Sequence, residues 1–401
     1  MLNKGILKTL PVFVLVSVFI WGCLDPFAPN VNQRDLNVLV VDGYINAGPG
    51  KTRIALSKLS PLSQSDNILL EEDAYVTIES DANESYPLTE VLSGIYESEA
   101  LELSTGKKYG LYIKLANGNE YRSELLDVKV TPPIDTITWA EEPNQLTIYA
   151  NTHDQTNATI YYKWWSDENW EIRVKYLAYL KYNGDTVILR EEEEPQPRGS
   201  DTLRAMSICF KGAKSSKLNI LSTAQQVNDS VKHPVRALSY ADEQIQVRYS
   251  MLLYQRALTR DEYNYLTLME KNSTQMGSFF DPMPSQLFGN IHRTSDSEET
   301  VVGYVGVYTT VSKRLFLHGD SVSRRVPIQE KCEPVDFRNT KELLAQFLGG
   351  KPPALIPYKL YNLDNDPFKP MVQALPRECM DCRSSTTIPR PSYWREFFLD
   401  P

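Results

Sequence analysis

Cysteines are the residues of this 401-residue chain whose placement promises the most chemistry. Cys23 stands directly after Ile20-Trp21-Gly22, at the end of a segment that begins with Lys4 and Lys8 and is mostly apolar from Leu10 to Trp21. That stretch is too short to span a bilayer as a mature helix. A basic start, an apolar middle and a small residue before cysteine describe a secretory signal ending in a lipobox. Cleavage before Cys23 leaves its sulfur to carry a diacylglycerol thioether. A further acyl chain on the freed amino group makes anchoring stable, because each buried methylene contributes about 0.8 kcal/mol. Residues 1–22 are thus expected to be a lipoprotein signal peptide, and residues 23–36 a lipidated tether whose prolines disfavour regular structure.

Cys209, Cys332, Cys379 and Cys382 remain. An even number in an exported chain reads as two disulfides, with three pairings open. A four-cysteine zinc site would need a second C-x-x-C beside Cys379 and Cys382, and a redox C-x-x-C would need a βαβ setting. Neither is visible, so the cysteines are taken as a staple for the C-terminal segment.

Other chemistry is sparsely marked. His153, His233, His292 and His318 are scattered, with no H-E-x-x-H, no G-x-S-x-G and no Cys-His nucleophile context. Acidic residues are plentiful, but nothing singles out a carboxylate pair. Gly48-Pro49-Gly50-Lys51-Thr52 resembles the end of a phosphate loop. The first glycine of that pattern is replaced by Ile45, and the setting is strand-turn-strand rather than a turn opening a helix. The expectation is no catalytic residue, no metal, no cofactor and no enzyme activity.

Aromatics crowd one stretch, Tyr161-Tyr162-Lys163-Trp164-Trp165 and then Trp170. Neighbours in a strand point to opposite faces, so Trp164 and Trp165 cannot both fill one core. One aromatic row, with Trp164, Trp165 and Trp170 as its candidates, is either a partner or ligand platform or the packing face for a second domain. Five Asp-Ser/Thr-aliphatic triplets begin at Asp135, Asp185, Asp201, Asp229 and Asp320. They resemble O-glycosylation acceptors of exported Bacteroidota proteins, and equally the turn residues that lead into strands.

The elements that hold these groups read as strands. Formal charge is -9, and loss of residues 1–22 removes two lysines more, so the surface lacks the basic footprint that nucleic acid requires. Residues 37–131 read as an immunoglobulin-like β-sandwich. Tyr109, Leu111, Ile113 and Leu115 alternate before Asn117-Gly118, a pair that favours a type I′ turn. After Pro132-Pro133, residues 134–401 read as a larger β-rich domain, with Leu203 to Phe210 among its strands. Thr259-Arg260-Asp261-Glu262 fits a capping box, with Glu262 reaching back to the cap, and predicts a helix over 260–271. A second short helix is expected at 340–348, and the last fifty residues show few regular signals.

Several segments in order resemble one family. They are Cys-Leu-Asp-Pro-Phe at Cys23, Val40-Val41-Asp42-Gly43-Tyr44-Ile45, Gly94-Ile95-Tyr96, and Tyr249-Ser250 ahead of the Thr259 helix. Gly277-Ser278-Phe279-Phe280-Asp281-Pro282, Gly289-Asn290-Ile291, Cys379-Met380-Asp381-Cys382-Arg383 and Pro391-Ser392-Tyr393-Trp394 follow. The chain resembles the DUF4249 family of Bacteroidota lipoproteins, a domain of unknown function. Trp21 is atypical for it, and Ser384-Ser385-Thr386-Thr387 stands where a Gly-rich stretch is usual. The resemblance implies an outer-membrane lipoprotein on the cell surface or the periplasmic leaflet, commonly beside a TonB-dependent receptor of the SusC-like kind. It transfers no catalytic residue. The expected role is a non-enzymatic accessory that helps such a receptor capture a ligand of unknown identity. An adhesion or matrix protein is the second expectation, and a surface hydrolase of unrecognised type the third.

Overall fold

The computed structural model describes residues 38–58, 69–190, 198–274, 289–328, 332–350, 352–385 and 387–394. Cys23, the signal segment, the tether and the Gly277 motif lie outside the described residues.

The molecule is mainly β, and its N-terminal unit is sandwich-like. Strand Lys51–Lys58 shows why: Thr52, Ile54 and Leu56 are buried while Lys51 and Arg53 face outward. Alternation of this kind buries one face of each strand. An eleven-stranded sheet curls over the resulting core of Leu39, Val41, Ile45, Ile54, Leu56, Val76, Ile78, Leu111 and Ile113. The Asn117-Gly118 turn is not of type I′. Only Gly118 has positive φ (85°), and the bonds Gly118 N to Leu115 O and Leu115 N to Asn119 O enclose a three-residue loop. Ala116 therefore belongs to the turn, which has the form of a type I turn with glycine at the left-handed position.

The N-terminal unit is not finished at residue 131. Ile291–Arg293 adds to strand Glu120–Ser123, and Val307–Tyr308 runs parallel to Ile45–Asn46. Ile291, Val301, Val305 and Val307 complete its core. The expected second domain at 134–401 is therefore not continuous in space, since its residues 289–308 return to the first. Gly303 permits the return. Its φ is +145°, and a Cβ there would lie 2.2 Å from the Val41 carbonyl oxygen. Thr131 ties the crossing, because its backbone N–H donates to Thr309 Oγ1 at 2.9 Å and its hydroxyl accepts from Ala257 N at 3.0 Å.

The second unit is a sandwich of two sheets. Strands Ile134–Glu141, Gln145–His153 and Ser230–Ser239 form one. Strands Ile208–Lys214, Tyr161–Arg173, Arg248–Leu258 and Val311–His318 form the other, with Asn219–Ser222 beside Tyr161–Trp164. Helix Arg260–Thr274 follows Thr259 as expected. Arg198–Ser207 is also helical, where a strand from Leu203 was expected. Leu203 and Met206 are both buried and three residues apart, a helical spacing that a short apolar run does not distinguish from a strand.

The C-terminal segment is more regular than its prolines suggest. Strands Val335–Arg338, Pro370–Pro376 and Leu355–Asn362 form a sheet with helix Lys341–Leu348. Its core of Phe337, Leu344, Leu348 and Val372 is shared with Leu180 and Val187 of a preceding hairpin. Two disulfides join this segment to the body and to itself, Cys209–Cys382 and Cys332–Cys379. Trp394, the last described residue, is fully buried with Phe210 edge-on at 5.3 Å.

Candidate functional site

The 13-residue strand Tyr161–Arg173 organises the site. Tyr162, Trp164, Ser166, Glu168 and Trp170 are buried between the two sheets, and the odd-numbered residues take the opposite face. The strand changes partners along one edge. Ile208–Lys214 pairs with Asp167–Arg173, and Asn219–Ser222 pairs with Tyr161–Trp164. Trp165 and Ser166 fall between the two. The Lys214-Ser215-Ser216-Lys217 link bulges there, held by Ser166 N to Ser215 Oγ at 2.8 Å and Ser215 N to Ser166 O at 2.9 Å.

A cleft of about 780 Å³ opens beside this break, between the link and the edge strand at His233 to Ala237. Gln145, Thr147, Trp164, Ser166 and Glu168 line its inner wall. A second notch of about 450 Å³ lies where the two units meet, lined by Tyr44, Asn46, Trp165, Asp167, Tyr254 and Thr310 among others. Trp165, Ser166, Lys214 and Ser215 border both openings.

The inner wall is polar and largely self-satisfied. Glu168 is 3% exposed, and its carboxylate accepts from Ser166 Oγ at 3.1 Å and pairs with Arg236 Nε at 3.0 Å. Tyr249 lies behind it with its hydroxyl fully buried. Burial first, and then Glu168, hold that phenol well above the ordinary tyrosine range. Partial burial lowers the pKa of His233 and favours the neutral ring. Its Nε2 sits 2.7 Å from Asn219 Oδ1, so Nε2 carries the proton and donates. The ring stacks on Trp164 at 5.0 Å, and Trp164 stacks on Tyr162 at 5.5 Å, a column that runs from the mouth into the core. Asn219 Nδ2 donates to the Pro234 and Val235 carbonyls, tying the link to the facing sheet.

The three candidate platform tryptophans are divided between the two faces of the sheet. Trp164 is core, and its Nε1 donates to Gln255 Oε1 at 2.8 Å. Trp170 is core as well, with Nε1 donating to Glu243 Oε1 at 2.6 Å. Trp165 alone looks outward, stacked on Tyr254 at 5.2 Å with Tyr44 edge-on at 6.2 Å. It packs between the two units on one side and borders the clefts on the other. Sequence reading missed Glu168, Asn219, His233 and Arg236 as one group. They come from three separate strands, and no local spacing relates them.

The junction beneath Trp165 holds a buried charge pair. Arg256 Nη2 meets Glu262 Oε1 at 2.6 Å, and the guanidinium lies 4.2 Å from the Tyr308 ring centre and 4.9 Å from that of Tyr44. Thr259 caps the helix as expected, accepting from Glu262 N at 3.2 Å. The Glu262 side chain goes to Arg256 instead of back to the cap, which corrects the second half of the expected capping box. Elsewhere His153 Nδ1 is 2.7 Å from Asp135 Oδ2, and Ser230 is the ladder partner of His153. No hydrogen bond joins His153 to Ser230 among the described residues, and neither cleft reaches them. The Gly48-Pro49-Gly50 segment is a turn between strands, with Thr52 Oγ1 buried and accepting from Asn46 N, away from any phosphate geometry.

This arrangement can hold a small polar molecule between two sheets. The domain of unknown function DUF4249 matches residues 24–314. The chain belongs to that family. No curated protein is significantly similar in sequence. Among solved structures, a DUF4785 family protein from Legionella pneumophila is 11% identical with a TM-score of 0.17, over 55% of this chain and 52% of that one. This chain thus spans about half the length of that protein. The calcium binding domain CBD12 of CALX1.1 is 10% identical with a TM-score of 0.15, over 70% of this chain and 99% of that one. Likeness at this level carries no argument about function.

Proposed function

We propose that this DUF4249 protein is a lipid-anchored, non-enzymatic binding protein of the outer membrane, and that it captures ligand for a TonB-dependent receptor. The lipobox at Cys23 supports the anchor and export. The single observation that supports capture is the cleft of about 780 Å³ at the mouth of the second sandwich. Pockets of this size with a few convergent polar groups are the usual form of small-molecule sites. Its charged pair is internally matched and its histidine neutral, so the wall offers hydrogen bonds more than reactive groups.

The test is native purification from outer membranes with a tag after residue 401. Stoichiometric co-purification of a TonB-dependent barrel, and loss of Cys23 lipidation and of the barrel partner in Cys23→Ser, are expected. A lipoprotein that runs alone and whose deletion leaves uptake intact overturns the reading and favours adhesion or an unrecognised hydrolase.

A further inference from the structure

The chemistry of the two adjoining openings narrows the ligand. We infer that they take a neutral, hydroxyl-rich ring of the carbohydrate class, laid against Trp165 with its hydroxyls on the polar inner wall. This rests on the capture reading and goes further, because it assigns a ligand class and the residues that select it.

Charge argues first. On the inner wall of the larger cleft the described charged residues are Glu168 and Arg236, and they are paired with each other at 3.0 Å. A charged ligand would have to break that pair or leave its own charge unmatched in a desolvated site, and both are costly. Lys214 and Lys217 lie on the exposed link, with Asp167 and Glu270 also among the lining residues, so the rim has no net preference for an anion.

Hydrogen bonding argues next. Gln145, Thr147 and Ser216 line the larger cleft with side chains that both donate and accept, and Ser166 and Asn219, whose donors go to Glu168 and to the Pro234 and Val235 carbonyls, keep acceptor capacity. A hydroxyl has the same dual character, so such a wall suits a polyol better than a pure donor or pure acceptor.

Shape argues last. Trp165 is the one aromatic shared by both openings, so a ring resting there reaches the inner wall on one side and Asn46, Thr310 and Ser312 on the other. The electron-rich face of an indole attracts the polarised C–H bonds of a flat sugar face. Stacking of Trp165 on Tyr254 and its edge contact with Tyr44 fix the indole in advance, which lowers the ordering cost of binding.

The experiment uses the full lipidated protein in a detergent without a sugar headgroup. Tryptophan fluorescence and calorimetry are followed on titration with glucose, galactose, mannose, N-acetylglucosamine, maltose and cellobiose, and with phosphate and glutamate as charged probes. The expected result is saturable binding of at least one saccharide and none of phosphate or glutamate. Trp165→Ala should weaken that binding at least tenfold, while Trp170→Phe, which lines neither opening, leaves it unchanged. If no saccharide binds, if phosphate or glutamate binds instead, or if Trp165→Ala binds as well as the parent, the inference is wrong. Circular dichroism on Trp165→Ala separates lost binding from lost fold, and a variant that misfolds is replaced by Trp165→Phe, for which weakened binding is again expected. Co-purification of a barrel is read independently. A barrel without sugar binding overturns this inference alone, and absence of both overturns the capture reading with it.

Discussion

Arg256 Nη2 lies 2.6 Å from Glu262 Oε1, with both side chains almost wholly buried where the two units meet. The pair is incompletely satisfied, since Arg256 Nε and Glu262 Oε2 have no hydrogen-bond partner among the described residues. A Cβ at Gly306 would come within 2.8 Å of Glu262 Oε2, so the first unit's returning segment presses against the carboxylate. The strand, the helix and the N-terminal sheet all converge on these two groups.

The two partners should not be equivalent on removal. Glu262→Gln leaves a buried guanidinium that cannot shed its proton, and breaking such a pair costs about 3–5 kcal/mol. Arg256→Met leaves a carboxyl that burial already pushes up, so it can take a proton and lose its charge. The methionine variant is expected to be the more stable of the two in urea unfolding. Its stability should fall as pH rises above the ordinary glutamate value, because the folded state then holds a proton that the unfolded state has lost.

Lys163 shares this junction, and burial chiefly, followed by Arg256, depresses its amine to about 8 from an ordinary 10.5. Holding it charged opposes folding below about pH 8, and the penalty fades between pH 8 and 10.5 as the folded state gives up the proton first. Lys163→Met is therefore expected to raise stability at pH 7 by about 1–3 kcal/mol. The gain should shrink steadily above pH 8 in thermal melts; a gain that is constant with pH would show that packing, not charge, is responsible.

Trp164 and Trp165 are neighbours with opposite duties. Trp164→Ala removes a fully buried ring from the core and strands Gln255, so a loss of about 3–5 kcal/mol is expected. Trp165→Ala should cost much less stability, since that ring is only half-buried. Equal losses in denaturant midpoint would mean that the outward face is as tightly packed as the inward one.

Reduction should act locally. Cys209–Cys382 spans 173 residues and Cys332–Cys379 spans 47, and both hold the C-terminal segment. Loss of a native disulfide from a folded domain is typically worth about 2–4 kcal/mol. Limited proteolysis after reduction is expected to release fragments from beyond residue 332 while the N-terminal core survives. Cleavage spread evenly over the chain would contradict that picture.

What the sequence determined by itself was local. The order of lysines, apolar run, glycine and cysteine makes Cys23 the expected lipid site without reference to any fold. Period-two alternation in Lys51–Lys58 and Tyr161–Arg173 sets which face is buried, because successive side chains in a strand must point opposite ways. Thr259 caps its helix because a hydroxyl there can accept from Glu262 N three residues on. Tertiary structure decided everything that joins distant residues. The return of residues 289–308 to the first sheet depends on Gly303 fitting against Val41, a contact 262 residues away in sequence order that no periodicity encodes. Three disulfide pairings were equally open until the C-terminal sheet set Cys332 near Cys379 and Cys382 near Cys209. Glu262 had a local partner in the cap and took Arg256 instead, because a buried guanidinium without a counter-charge costs more than an unreached N–H at a helix end. The cleft exists for the same kind of reason: one strand changes partners at Trp165 and Ser166, and only the folded sheet shows where the exchange falls.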